Sequence, residues 1–453
     1  MTEGLQRKLR LFPATNIVVA NMIGAGIFTT SGLLMEELNN PLLMLSLWIA
    51  GGVIALCGAL SYGELGAAMP EAGGEYYFLS KLYHPLLGFL SGWVSFIVGF
   101  SAPIAASAMG FSEYLCRALP AIPGWLDTAG LLTPAATRKF LSVSVIIIFT
   151  YIHYNGLKTG TAIQNVLTFM KIGLILLLIF AGFASGNGNT GNFISGESIS
   201  PGFAGWKTAG LSLMWIMFAY SGWNASTYIG SEIASPSRIL PRSLMIGTGS
   251  VIMLYLGLNA LFIYAISPDE MKGVISVGGL AMGNLFGKPA EILVSILISF
   301  ALFSSLSAFI IIGPRVYYSM AKDGLFFRFA AKVHPRHKVP SNSILLQCLI
   351  AVILALSGTF DQVLTYMGFA LGIFPILAVT GIFSLRRKKL SGLKIKGYPF
   401  TQILYIVTGA SILVLSFLER PAESLIALAT ALTGIPVYYL FKRRNLQNSM
   451  KMN

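Results

Sequence analysis

The chain has 453 residues, 55% of them hydrophobic and 11% charged, with a formal net charge of +14. A mean hydropathy of +0.74 over that length excludes an ordinary soluble domain and makes the chain a polytopic membrane protein. The basic excess lies in loops and is not interleaved with stacking side chains, which excludes a nucleic-acid partner.

Segments of about 20 apolar residues fall near 14–36, 42–68, 86–114, 140–155, 160–184, 206–231, 243–267, 291–319, 343–357, 363–385, 402–418 and 422–441, twelve spans in all. With loops assigned alternately to two sides, one side holds 22 lysines and arginines, from Arg7 and Lys8 through Arg336 and Lys338 to Lys396 and Lys451. The other side holds 7, among them Arg117, Lys207 and Arg420, and Lys171 and Arg315 fall inside spans. The positive-inside rule then puts both termini in the cytoplasm. The first apolar run is too long for a signal-peptide core and reads as a retained helix.

That first run, Pro13 to Met35, has no charged residue but carries the hexapeptide IGAGIF, Ile23 to Phe28, at its centre. Glycines there predict a broken helix, ending near Ile23 and restarting near Gly26 or Ile27. A break in hydrocarbon orphans carbonyls of one half and N–H groups of the other, at several kcal/mol per group (roughly) unless something polar binds them. The opposed half-helix ends suit a zwitterion, a carboxylate on the N–H groups of Ala25, Gly26 and Ile27 and an ammonium on carbonyls near Met22 and Ile23. Close helix packing through Gly24 and Gly26 is the competing reading of the same glycines. On the binding reading, Gly26→Val gives a folded, inactive protein.

The loop between spans 2 and 3 runs SYGELGAAMPEAGGEYYFLSKLYHP and predicts a short interfacial helix with its aromatic rings at headgroup depth. Pro103 predicts a kink in span 3. Lys171 lies about 12 residues into span 5, roughly 18 Å deep at 1.5 Å per residue. It cannot snorkel from there and needs a buried polar partner. Span 6 is interrupted between Phe218 and Asn224, with Ser221 and Gly222 among aromatics. Breaks in spans 1 and 6 are what two inverted repeats of five helices predict. LSKLYHPLLGFL before span 3 and MGNLFGKPAEIL before span 8 fall at corresponding places in those repeats. The basic loops after spans 8 and 10 read as topology signals and anionic-lipid contacts.

Nothing in the chain predicts an enzyme. His84, His153, His334 and His337 sit at span ends or in loops, without the spacing of a metal site. Cys57, Cys116 and Cys348 read as packed thiols. Glu64 and Glu232, near the cytoplasmic ends of helices, read as surface or interfacial ion pairs with loop arginines or lysines. No cofactor and no metal are expected.

Five stretches in order, IGAGIF (23–28), YGELGAAMPEAGGEYYFL (62–79), FAYSGWNASTYIGSEIASPSRILPRSL (218–244), PRVYYSMAKDGLFF (314–327) and ERPAESL (419–425), make the chain resemble the amino acid/polyamine/organocation transporter superfamily, especially its L-type and cationic amino acid branches. The resemblance implies ten helices in two inverted repeats plus two peripheral helices. It implies alternating access, with an amino acid held between helices 1 and 6. The backbone of Ile23, Gly24, Ala25, Gly26 and Ile27 would hold the carboxylate and part of the amine, and the carbonyls of Phe218, Ala219 and Ser221 the rest of the amine. By the same resemblance Phe218 caps the occluded substrate and Asn224 braces the unwound segment. Lys171 matches a lysine that stands where sodium-coupled relatives hold a cation, which disfavours sodium coupling. Cys116 does not match the cysteine that links animal L-type chains to a glycoprotein, so no heavy-chain partner is expected.

The expectation is therefore an all-α polytopic membrane protein forming one transporter domain over 1–453, with repeats at about 13–184 and 204–385 and peripheral helices at about 400–441. Its function is secondary transport of amino acids in a plasma membrane, by exchange or proton symport, as a monomer or weak homo-oligomer. Neutral substrates are preferred because no acidic residue is evident near the breaks. Cationic amino acid or polyamine transport is the alternative, and it predicts an Asp or Glu facing the pocket. A membrane sensor that binds an amino acid without moving it is the alternative of another class.

Overall fold

The structure, a computed structural model, describes residues 7, 9–71, 73–155, 157–196, 202–334, 339–390, 392–395 and 397–450. Lys8, Arg336, His337, Lys338, Lys396 and Lys451 lie outside the described residues.

The chain begins with α1 (Leu11–Met22), α2 (Ala25–Leu38), α3 (Pro41–Ala68), α4 (Glu75–Leu82) and α5 (Pro85–Val94). A π turn, Ser95–Gly99, joins α5 to α6 (Ser101–Ala118), and α7 (Ala121–Thr128), α8 (Pro134–Tyr154), α9 (Leu157–Ala184) and α10 (Phe203–Ala219) come next. Two short 3₁₀ turns, Ala225–Tyr228 and Gly230–Glu232, lead into α11 (Pro236–Ala265). The rest is α12 (Pro268–Met271), α13 (Val277–Phe286), α14 (Lys288–Lys322), α15 (Ser341–Ser357), α16 (Phe360–Arg387), α17 (Phe400–Glu419) and α18 (Pro421–Met450). Among the described residues the β pairing is limited to an isolated parallel bridge between Leu9 and Ile233.

Many helix starts are written in local chemistry. Asn40 before Pro41 accepts the Leu43 N–H at 2.9 Å, His84 before Pro85 accepts from Leu86 at 3.1 Å, and Thr133 before Pro134 accepts from Ala136 at 3.3 Å. In each case a polar cap takes an orphan donor, and the proline occupies a position where its missing N–H costs nothing. Thr359 and Gln362 close a capping box at the start of α16.

Among the described residues ten helical stretches are long and apolar enough to cross a membrane, α1 and α2 together forming the first. Helices α10 and α15, of 17 residues each, are shorter and stand at the places expected for spans 6 and 9. The stretches 11–38, 85–118 and 288–322 are 83%, 89% and 72% buried, whereas α17 and α18 are 22% and 28% buried. Spans 1, 3 and 8 therefore make the core, and the last two helices lie at the periphery.

Two local expectations take a different form. The kink in span 3 is the π turn at Ser95–Gly99, because Pro103 lacks an N–H and its ring crowds the carbonyl one turn earlier. The interfacial helix exists as α4, but Tyr76, Phe78, Leu79 and Leu82 on it are buried, and the Tyr76 hydroxyl donates to Asp323 at 2.5 Å. The rings of Tyr76 and Phe78 pack into the protein, while Tyr77 stays partly exposed. Likewise α13 precedes α14 as α4 precedes α5, each long helix opening on a proline in its first turn.

Candidate functional site

Span 1 breaks at Ile23 and Gly24, between α1 and α2. The carbonyls that α1 leaves open are taken by side chains from three other helices. The Lys171 ammonium, fully buried on α9, donates to the Ala20 carbonyl at 3.2 Å, to the Ile23 carbonyl, and to Ser305 Oγ at 3.2 Å. Ser305 on α14 donates to the Ile23 carbonyl at 2.6 Å. A cation at the negative end of a half-helix is electrostatically favoured, and here it is paired with carbonyls and a hydroxyl. This is the buried polar partner that Lys171 requires.

The other side of the break has no side-chain cap. Gly24 caps α2 in an extended conformation and offers no side chain, so no side-chain hydrogen bond caps its first turn. A Cβ added at Gly24 would meet Ser305 Oγ at 3.6 Å, an ordinary contact. One added at Gly26 would lie 2.6 Å from Ala219 Cα and 3.2 Å from a Phe218 ring carbon. Gly26 is thus a close-packing glycine as well as part of the break, and a Gly26→Val variant forces α2 and α10 apart. A folded, inactive protein no longer follows from that substitution.

Span 6 leaves the α-helix after Ala219. Ser221 N–H donates to the Phe218 carbonyl at 2.8 Å, and Gly222 turns the chain with φ +95°, where an added Cβ would meet the Asn21 backbone at 2.8 Å. Only glycine fits there, both for the positive φ and for the approach to α1. Tyr255 on α11 ties the two breaks together, its hydroxyl lying 2.6 Å from the Met22 carbonyl and 2.9 Å from the Ala219 carbonyl. With one proton to give, it serves both half-helix ends in turn.

A cavity of about 100 Å³ lies beside the second break, lined by Asn21, Phe218, Ser221, Gly222 and Asn224 together with Glu75. Phe218 stands between Gly26 and this space. Asn224 Nδ2 donates to Glu75 Oε1 at 2.7 Å and to the Tyr228 hydroxyl at 3.2 Å, which ties the unwound segment to α4. Among the described residues no three His, Cys, Asp or Glu side chains gather as metal ligands do.

Of the sequence-predicted positions, Phe218, Ser221 and Asn224 line the cavity, while Ile23, Gly24, Ala25, Gly26 and Ile27 lie outside its wall. Ala219 is packed on Gly26, and Lys171 holds the end of α1. The carbonyls of Met22, Phe218 and Ala219 accept hydrogen bonds within the protein, and the Ile23 carbonyl accepts two, from Lys171 and Ser305, which fill both its lone pairs. Sequence reasoning missed Tyr255, Ser305 and Glu75. A lone tyrosine hydroxyl in an apolar span and the serine-rich run 304–307 were signals for the first two, since hydroxyls in hydrocarbon need partners. Glu75 corrects the statement that no acidic residue is near the breaks. It comes directly after Gly73 and Gly74, in a stretch that looks like loop until the fold turns it inward.

Glu64 and Glu232 are ion-paired, but not as surface pairs with loop residues: Glu64 is fully buried, and the partner of Glu232 is Arg315 inside α14. Arg386 grips Glu64 with two nitrogens at 2.7 and 2.6 Å, and Glu232 lies 3.8 Å from Arg315. Cys57 and Cys116 are buried free thiols and Cys348 is a partly buried one.

Comparison with known proteins agrees with this architecture. The family model for amino acid permeases matches residues 9–439. The chain is 27% identical to the Asc-type amino acid transporter 1 of Mus musculus over 444 residues, 96% of this chain and 81% of that one. It is 27% identical over 439 residues to the large neutral amino acids transporter small subunit 2 of Homo sapiens, covering 96% and 80% of the two chains. The b(0,+)-type amino acid transporter 1 of Mus musculus matches at 27% over 448 residues, 97% of this chain and 89% of that one.

One of these names overturns the expectation of no partner chain. A relative aligned over nearly the whole chain is a small subunit, and so belongs to a larger assembly. Cys116 bears on a single covalent link only, and association through packed surfaces does not depend on it. With a permease model covering nearly all its length and two interrupted spans at its core, the chain belongs to the amino acid permease family, as a multi-pass membrane protein.

Proposed function

We propose that the chain carries neutral amino acids across the cell membrane by alternating access, as an exchanger or a proton symporter, with both termini cytoplasmic. The observation that carries this reading is the juxtaposition of the uncapped first turn of α2 with the second break at Ala219 to Asn224. The N–H groups of Ala25, Gly26 and Ile27 take the substrate carboxylate. The second lone pair of the Ala219 carbonyl and the Ser221 carbonyl take its amine, the Ile23 carbonyl being held by Lys171 and Ser305, and Phe218 closes over it. The two halves of the domain, about 13–184 and 204–385, move against each other around this point. Lys171, a fixed positive charge against α1, stands in place of a sodium ion.

A relative named for large neutral amino acids supports the neutral class. The cationic alternative asks for a carboxylate facing the pocket, and Glu75 does line it. Three hydrogen bonds already engage that carboxylate, so the neutral reading is kept. The test is uptake of labelled alanine, serine, leucine, phenylalanine, lysine and putrescine into proteoliposomes, empty or preloaded with unlabelled amino acid. Preload-dependent uptake of the neutral members is expected from an exchanger, and uptake driven by an inward proton gradient from a symporter. Preferred uptake of lysine or putrescine would reassign the substrate, and binding without any uptake would favour a sensor.

A further inference from the structure

Glu75, at the start of α4, is 4% exposed and belongs to neither half-helix end. Its Oε1 accepts from the Tyr62 hydroxyl at 2.8 Å and from Asn224 at 2.7 Å, and its Oε2 from the Tyr228 hydroxyl at 2.9 Å. A carboxylate has about four lone-pair positions, so one on Oε2 is left over. The donors come from three places that a conformational change would separate: α3, the unwound segment after α10, and the 3₁₀ turn Ala225–Tyr228.

The surroundings are unusual for an acid. The titratable groups facing it are Tyr62 from α3, Tyr228 from the turn and Tyr405 from α17. The cavity wall brings neutral side chains from the π turn, α14 and α16, among them Ser95, Phe309 and Pro375. Among the described residues no lysine, arginine or histidine pairs with Glu75. Burial pushes its carboxyl above the ordinary value, and the three hydrogen bonds counter that only in part.

We propose that Glu75 is a proton-binding site of the transport cycle, and that its proton occupancy sets how firmly the segment after the span-6 break is held. Ionised, the carboxylate makes three charge-assisted bonds, each about twice as strong as a neutral one. A proton on Oε2 removes the charge, turns that oxygen into a donor and forces the Tyr228 hydroxyl to give up its own donation. The ties from α4 to Asn224 and Tyr228 then weaken together, and the cavity is freer to open. A proton suits the site better than an ammonium head. Donors already fill three of the four acceptor positions, so the carboxylate has too few left for the three N–H groups of an ammonium head.

The inference rests on the reading of the chain as an amino acid transporter, and its test separates the two. Labelled alanine, serine, leucine and phenylalanine are exchanged into preloaded proteoliposomes between pH 4.5 and 8.5, on the order of one proton-titration range either side of a raised carboxylate. Wild-type exchange is expected to rise as the pH falls through one titration, Glu75→Gln to exchange at a rate that does not change with pH, and Tyr228→Phe to move the titration upward by about one pH unit, since it loses a donor to the ionised form. A flat wild-type profile, or a wild-type profile kept by Glu75→Gln, overturns the proton site while leaving transport intact. No wild-type exchange of any probe at any pH overturns the transport reading itself. Should Glu75→Gln fail to fold, the Tyr228→Phe titration decides, an upward shift supporting the site and an unmoved one rejecting it.

Discussion

Gly24 and Gly26, two residues apart, separate recognition from packing. An Ala at Gly24 meets only an ordinary contact with Ser305, whereas an Ala at Gly26 collides with the Ala219 backbone. Gly24→Ala is therefore expected to reach the membrane at wild-type level and to lose at least about tenfold in uptake, because its methyl crowds the N–H groups offered to a carboxylate. Gly26→Ala is expected to lower the yield of monodisperse protein after extraction. Equal uptake by Gly24→Ala and wild type would remove the first turn of α2 from the site. Lys171→Met keeps the length but not the donors, leaving the Ala20 carbonyl without a partner. An orphaned buried group costs about 1–3 kcal/mol, so uptake per inserted molecule is expected to fall by roughly ten- to a hundredfold. A loss matched by an equal loss of inserted protein would make Lys171 purely structural. The burial of Lys171 was legible from its place in an apolar run, but its partners were not. They are two backbone carbonyls of α1 and a serine on α14, and no spacing rule brings α9 to either.

Among the elements, the breaks were readable and their finish was not. Glycines in an uncharged span marked the first break, and Ser221, Gly222 and Asn224 marked the second. The two 3₁₀ turns beyond the second break and the inward course of α4 depend on long-range contacts such as Asn224 with Glu75. The same distance in sequence hid the grip of Arg386 on Glu64, which joins α16 to α3 across 322 positions. Glu64 has a fully buried side chain. Arg386→Ala leaves that charge unpaired, and breaking a buried pair in this way costs about 3–5 kcal/mol. A clear drop in the apparent melting temperature is expected, recovered in part by Glu64→Gln in the same chain. No drop would mean that water or another cation replaces the arginine. Gly222→Ala is expected to lower the melting temperature as well, since it combines a positive φ with a clash against Asn21.

For the whole molecule, charge asymmetry set the expected orientation and burial sorted the helices. Spans 1, 3 and 8 are the most buried and meet at the first break, while α17 and α18 are the most exposed. Single cysteines placed at Arg443 and at Trp125, in a background lacking native thiols, should be labelled from opposite sides in sealed inside-out and right-side-out vesicles. Labelling of both from one side would contradict the proposed topology. Transport as proposed depends on two half-helix ends that read the backbone of an amino acid and leave its side chain to the neighbouring cavity. The decisive experiment is competition against uptake of labelled leucine by three unlabelled compounds: leucine, its decarboxylated amine and its deaminated acid. Strong inhibition by leucine and almost none by either analogue, a difference of at least about a hundredfold in half-inhibitory concentration, is the predicted result, since each analogue leaves one half-helix end unsatisfied. An amine or an acid that competes as well as leucine would contradict recognition by the paired half-helix ends.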